Sequence, residues 1–253
     1  MADSVELPIL SELASGVFRF GSVTVVEFDA ESPWYETSMT IAAKSVIQGV
    51  PTDYHTFEHA PDDVRAYLAR LGVDVQKAEE SGRLRILNSY SSQVGLAPET
   101  KASSRVASTI EGSLEVDEWT KLIGSAAPDD ADEKRRIHVD DNTSAMLRIN
   151  DEKTMSNFWL TASAFAKKHG LVMVNSLIAG ISSEAFYKRL ESVADTIIDL
   201  ETVRKERVRH RMRVRRDRGT NHDSSWKGIE IADNGEVSVV SGARALLWSE
   251  GFY

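Results

Sequence analysis

Short apolar runs alternate with stretches of helical spacing along most of the chain, the pattern of βαβ units built around a mainly parallel sheet. The first run, Ser22-Val23-Thr24-Val25-Val26-Glu27-Phe28, predicts a strand. A helix is predicted from about Tyr35 to Gln48, where Met39, Ala42, Ala43, Val46 and Ile47 recur at helical spacing before Gly49 and Pro51 stop it. Tyr54 to Glu58 predicts the next strand. Pro61-Asp62-Asp63-Val64 then opens a helix with Val64, Tyr67, Leu68 and Leu71 on one face and carboxylates at its positive N-terminal end. Arg83 to Leu87 predicts a third strand.

From Ser89 to Ser113 the chain is rich in Ser, Thr, Gly and Ala without a period, which predicts a long loop or hairpin insertion. Asp117 to Leu122 reads as helical, the acidic stretch from Asp129 as a surface loop, and Arg136 to Asp141 as a strand ending in two carboxylates. A long helix from about Glu152 to Lys168 leads into the buried strand Leu171 to Val174, and Ser183 to Ser192 is an amphipathic helix. Beyond Asp195 only strands are predicted: Thr196 to Leu200, Val208 to Val214, Gly228 to Ile231 and Val237 to Val240, with a turn at Asp233-Asn234-Gly235. No repeat recurs. The expected fold is α/β, a mainly parallel sheet flanked by helices with a C-terminal antiparallel extension, as a single domain over 1–253. Its last part, 241–253, is an apolar tail whose Leu246, Leu247 and Trp248 are expected to dock on this domain or another chain.

Composition narrows the function. A chain of 253 residues can bury a sizeable core without staples, and the absence of cysteine removes disulfides, thiolate metal sites and cysteine nucleophiles. The N-terminus has no basic segment followed by an apolar one, and no run approaches the roughly 18 apolar residues of a membrane helix, so a cytoplasmic protein is expected. Acidic residues outnumber basic ones 39 to 30, and the net charge of −9 opposes general nucleic-acid affinity. Such a surface suits either high salt or ordinary solubility. The exception is the basic run from Arg204 to Arg218. Its alternation puts Arg207, Arg209, Arg211, Arg213 and Arg215 on one solvated face, opposite Val208, Met212 and Val214. Two readings are open: an edge strand guarded by charge, or a patch for an acidic partner, a neighbouring subunit or a nucleic acid, with protein partners favoured.

Four stretches, Phe20–Val26, Phe57–Pro61, Asp141–Leu147 and Arg216–His222, resemble in this order the RecA superfamily and within it the KaiC-like branch. Phe20-Gly21-Ser22-Val23-Thr24-Val25-Val26 resembles the strand leading into the P-loop, and Phe57-Glu58-His59-Ala60-Pro61 the strand end that carries the family's catalytic glutamate pair. Asp141-Asn142-Thr143-Ser144-Ala145-Met146-Leu147 resembles the end of the Walker B strand and the residues after it, which makes Asp140 and Asp141 Walker B-like. Arg216-Asp217-Arg218-Gly219-Thr220-Asn221-His222, with the turn at Asn234-Gly235, resembles the Lys-x-Arg-Gly-Thr-x-His segment and final hairpin. The resemblance implies a RecA-like fold over essentially the whole chain.

The departure lies in the P-loop, G-x-x-x-x-G-K-[ST] in this family. Here the interval reads Glu27-Phe28-Asp29-Ala30-Glu31-Ser32-Pro33-Trp34-Tyr35-Glu36-Thr37-Ser38. A phosphate cradle needs glycines to turn backbone N–H groups inward and a lysine to neutralise the phosphates. This loop has neither. Glu27, Asp29, Glu31 and Glu36 would repel a triphosphate, and Trp34 and Tyr35 are bulky where compact residues are wanted.

Without a bound nucleotide, Asp140 and Asp141 read better as hydrogen-bond acceptors than as Mg²⁺ ligands, and Glu58 has no phosphate against which to activate water. His59 reads as a surface residue before the Pro61 turn. The histidines lack paired metal-ligand spacing and no nucleophile elbow is present, so no metal, cofactor or catalytic residue is expected. Trp119, Trp159, Trp226 and Trp248 read as core or interface anchors. The resemblance implies that Arg216 and Arg218 reach the nucleotide of an adjacent subunit; with His222 and Trp248 they form the expected interface. The expected function is a non-catalytic regulatory or scaffold protein whose partner is another copy or an active KaiC-like relative, against two rivals: a divergent ATPase and a recombinase-like nucleic-acid binder.

Overall fold

The computed structural model describes residues 3–14, 16–95, 109–112, 114–116, 118–119, 135–205, 207–218 and 222–241. Its centre is β3 (Val23–Phe28), preceded by a small antiparallel pair, β1 (Ser4–Val5) and β2 (Phe18–Arg19), that brackets the short helix α1 (Leu10–Ala14). After β3 come α2 (Trp34–Ile47), β4 (Thr52–Thr56), α3 (Pro61–Arg70), α4 (Val75–Glu80), β5 (Leu84–Asn88), the single turn α5 (Tyr90–Gln93), β6 (Thr109–Glu111) and β7 (Ile137–Asp140). A 3₁₀ segment (Thr143–Arg148), α6 (Glu152–His169), β8 (Val172–Ile178) and α7 (Glu184–Val193) follow, and β9 (Thr196–Arg204), β10 (Val208–Asp217), β11 (Lys227–Ile231) and β12 (Val237–Val239) close the chain.

These strands form one 10-stranded sheet in the order β12-β11-β10-β9-β3-β8-β7-β4-β5-β6. From β9 to β6 every pairing is parallel, and β9-β10-β11-β12 is antiparallel. The mainly parallel sheet with an antiparallel C-terminal extension is the architecture expected from the alternation of patterns. Because Cβ direction alternates along a strand, Val26 and Phe28 pack on one side with α1, α2 and α3, while Val23 and Val25 pack on the other with α6 and α7.

Sequence reads several helix ends well. Pro61 occupies the first turn of α3 with Asp62 and Asp63 beside it, Asp151 accepts the Thr154 N–H at 2.7 Å at the start of α6, and Gly170 closes that helix in the left-handed conformation. The β11–β12 turn also forms where expected, with Gly235 at φ +86° and its Cβ position filled by Tyr67.

Three expectations change. The Ser89–Ser113 stretch is not all loop: α5 lies at its start, and β6 adds a parallel edge strand beside β5. Three residues of Ser/Thr-rich sequence carry too little alternation to announce a strand. Second, β10 is not an edge strand, since β9 and β11 flank it, so protection of an edge cannot be the purpose of its arginines. Third, the register of β10 slips between Val214 and Arg216, a bulge that breaks the alternation and sends both Arg215 and Arg216 towards α7. Of the predicted helix Asp117 to Leu122, Glu118 and Trp119 are described and helical; the acidic loop from Asp129 and the tail carrying Trp248 lie outside the described residues. Among the described residues no helix is long and apolar enough to cross a membrane.

Candidate functional site

In a parallel sheet of this kind the carboxyl ends of the strands, where chain reversals leave a crevice, are the place to look for chemistry. The ends of β3, β4 and β7 bring together most of the residues singled out from sequence.

The connection from β3 to α2, Asp29 to Pro33, is closed on itself. The Asp29 N–H donates to the Leu200 carbonyl at 3.2 Å and that of Ser32 to the Asp29 carbonyl at 3.0 Å, while the Trp34 N–H donates to the Ser32 carbonyl at 2.8 Å. The Glu31 N–H donates to Asp29 Oδ1 at 3.0 Å, and Asp29 Oδ2 accepts the Thr202 N–H. A phosphate cradle works by leaving such N–H groups directed at an empty concavity; here they are committed to the chain itself. Thr37, at the helix start, donates its hydroxyl to the Pro33 carbonyl at 2.7 Å. Trp34 is buried, stacks near Phe28 with ring centres 6.1 Å apart, and donates its indole N–H to the Asp140 carbonyl at 3.2 Å.

The acidic residues of the loop repel an anion less than their formal charge suggests. Glu31 is paired with Arg204, and the half-buried Glu27 with Arg215 at 2.7 Å; burial pushes the Glu27 carboxyl up against the pull of that arginine. What sets this edge apart is therefore the closure of its backbone N–H groups rather than its formal charge.

Asp140 and Asp141 sit at the end of β7, both buried, and their oxygens are occupied by protein donors. Asp140 Oδ1 accepts the Thr143 N–H at 3.1 Å, the Ser176 N–H at 3.2 Å and the Ser176 hydroxyl at 2.5 Å, and Oδ2 accepts the Thr143 hydroxyl at 2.5 Å and Asn175 Nδ2 at 2.8 Å. Burial pushes this carboxyl up to about 7 despite the donors from Ser176, Thr143 and Asn175. Asp141 Oδ1 accepts the Phe57 N–H at 2.7 Å, and its Oδ2 accepts Thr56 Oγ1 at 2.9 Å, the Glu58 N–H at 3.2 Å and His59 Nδ1 at 3.0 Å. A carboxylate offers about four lone-pair positions. Both are filled by donors from within the chain.

Glu58 is partly exposed beyond β4 and lies 3.5 Å from Arg148. His59 is not the plain surface residue expected from its place before a turn. It is half-buried, its imidazole is bound to Asp141, and its ring stacks on Tyr35 with centres 3.6 Å apart at 14°. Tyr35 in turn meets Tyr67 edge-on at 5.3 Å, and burial beside Asp141 pushes its phenol up. Beside the partly exposed Glu58 the chain thus carries a histidine turned inward to the Asp141 carboxylate. A histidine directly after an acidic residue at a strand end is the sequence signal for this contact.

The arginine strand is a ladder of internal contacts. Arg211 pairs with Glu201, Arg213 with Asp199 at 2.7 Å, and Arg215 reaches Glu27, Asp199 and Glu191, while Trp226 lies within 4.4 Å of the Arg211 and Arg213 guanidiniums. Arg216 donates to the Glu191 and Ala194 carbonyls, and Arg218 to that of Ser192, so both seal the C-terminal end of α7, where helical carbonyls lack partners. His222 is half-buried, with no partner for its Nδ1 among the described residues, and Trp248 lies outside the described residues.

Comparison with known proteins points the same way. The family model described as "ATPase: KaiC" matches residues 35–243. Among solved structures, the chain is similar to a KaiC-like protein from the hyperthermophilic archaeon Pyrococcus horikoshii OT3, with 21% sequence identity, a TM-score of 0.71, and coverage of 95% of this chain and 99% of that one. At that identity the likeness speaks for the fold. No curated protein sequence matches. With the family model spanning residues 35–243, most of the sequence, the chain belongs to the KaiC ATPase family.

Proposed function

We propose that this member of the KaiC family does not turn over ATP and acts through protein contacts, as a regulatory or scaffold domain. The observation that carries the reading is the β3–α2 connection: it has no glycine and no lysine, and the N–H groups of Asp29, Glu31, Ser32 and Trp34 are bonded within the chain. The saturation of Asp140 and Asp141 supports it, because a Mg²⁺ ion or its water shell would have to displace donors already in place. A divergent ATPase would need cations free to meet phosphate, whereas Arg148 and Arg204 beside this edge face Glu58 and Glu31. A nucleic-acid binder would need the arginine strand for phosphates, yet Glu201, Asp199 and Glu27 neutralise much of it.

Under this reading the partner is a protein: another copy, or an active KaiC-like relative. Titration calorimetry with Mg·ATP tests the first half. No binding tighter than about 10 μM is expected, an affinity corresponding to roughly 7 kcal/mol; tighter binding, or sustained phosphate release above a protein-free blank, overturns it. Light scattering and a pull-down with the purified chain at matched salt test the second half.

A further inference from the structure

On the side of the sheet facing α6, a buried polar chain runs from Trp119 through His55 to Ser89. Trp119 Nε1 donates to His55 Nδ1 at 2.9 Å, and His55 Nε2 lies 2.8 Å from Ser89 Oγ. An indole N–H is a donor only, so Nδ1 must present its lone pair and the ring hydrogen must sit on Nε2, donating to Ser89. This tautomer also rules out activation of Ser89, which would require Nε2 as the acceptor. A second proton has one place to go, Nδ1, and that position points at the Trp119 N–H. The imidazolium and the Trp119 hydrogen bond exclude each other.

We propose that His55 is an acid-sensitive clasp: its protonation at Nδ1 breaks the bond to Trp119 and undocks that side chain from the sheet while the sheet itself stays folded.

The surroundings support a discrete event. His55 is stacked on Phe57 at 4.0 Å, lies 6.1 Å from the Trp119 ring and meets the edge of His138 at 5.7 Å. Among the described residues, the carboxylates of the strands beside His55 are already committed. Asp53, on the same strand, is held by Arg85 of β5 and by Arg136, each at 2.7 Å; Asp140 of β7 is held by Ser176, Thr143 and Asn175. Burial, with His138 adding to it, accordingly holds the His55 imidazole well below its usual range. The clasp is closed at neutral pH and opens in acid. Trp119 belongs to none of the sheet's ladders, which pair β4 with β5 and β7 independently of it.

The indole N–H resonances of the full-length, ¹⁵N-labelled protein provide the test, with the Trp119 peak assigned by its loss in Trp119→Phe. On acidification the Trp119 peak should move or exchange-broaden, tracking the His55 imidazole. The Trp34 peak, bonded to the Asp140 carbonyl, should persist as the marker of an intact sheet. In His55→Gln, whose amide can accept from Trp119 and donate to Ser89 without taking a proton, the Trp119 peak should stay through the same range. In His138→Phe the opening should remain. Loss of the Trp119 and Trp34 peaks together, opening of His55→Gln at the wild-type pH, or its absence in His138→Phe would overturn the proposal. If His55→Gln does not fold, the imidazole ¹⁵N shifts of the wild-type protein decide: a neutral-pH tautomer with hydrogen on Nδ1 is incompatible with the clasp.

Discussion

His138 gives the sharpest quantitative expectation. It sits on β7, 1% exposed, edge-on to Trp119 at 5.8 Å, and its Nε2 has no hydrogen-bond partner among the described residues. Burial pulls its pKa from 6.5 down to about 4, with Asp53 opposing and Arg85 reinforcing the shift. In this window the unfolded chain takes a proton that the folded chain refuses, so stability falls as pH falls. Neutral His138 contributes fully above pH 6.5, and its contribution is lost as pH drops towards the folded value. At about pH 4.5 the penalty is roughly 2.5 kcal/mol, from about 1.4 kcal/mol per pKa unit. Asp140 works in the opposite direction, because its raised pKa makes the folded state hold a proton between 3.8 and about 7. That term is common to both proteins and cancels in a difference. His138→Phe removes the titration and the orphan nitrogen while keeping a ring among rings. Urea unfolding followed by circular dichroism should find the variant within about 1 kcal/mol of wild type, or above it, at pH 7. At pH 4.5 its advantage should grow by about 2 kcal/mol with an unchanged m-value. Parallel stability curves for the two proteins between pH 7 and 4.5 would refute the assignment.

Three other expectations concern packing. Gly235→Ala drives a Cβ into Tyr67 Oη at a backbone with φ +86°, so it should destabilise by about 2 kcal/mol or more, seen as a fall in Tm. Arg216→Ala uncovers the Glu191 and Ala194 carbonyls and should cost about 1–3 kcal/mol in urea unfolding; unchanged stability would leave an intersubunit role as its main one. For this reason charge reversal at Arg216 and Arg218 tests assembly only when monomer stability is measured alongside. Trp34→Ala should lose about 3–5 kcal/mol through the cavity it leaves, yet calorimetry should detect no gain of Mg·ATP binding, because the N–H groups of Asp29 and Ser32 remain committed; recovery of nucleotide binding would identify the indole as the principal block.

Periodicity alone set out β3, α2, α3, α6 and the closing strands, because burial of one face leaves a local record: every second residue in a strand, every third or fourth in a helix. Composition and the Glu27 to Ser38 interval likewise showed without coordinates that the glycines and lysine of a phosphate loop are missing. Other features depend on strand order, which local spacing does not encode. β6 is too short to show a period, and its place beside β5 results from the crossover that brings it there. The alternation of arginines was visible, but not that β10 lies inside the sheet, nor that a bulge at Arg215 turns its end onto α7. His59 looked like a turn residue because its partner, Asp141, lies 82 residues further on and arrives only when β4 and β7 pair. The same pairing closes the Asp141 carboxylate against the end of β4. Sequence therefore determined the elements with a clear period and the residues that the β3–α2 interval lacks; the tertiary structure alone decided which polar groups satisfy one another, since a buried charge takes its partner from whichever element the sheet lays beside it.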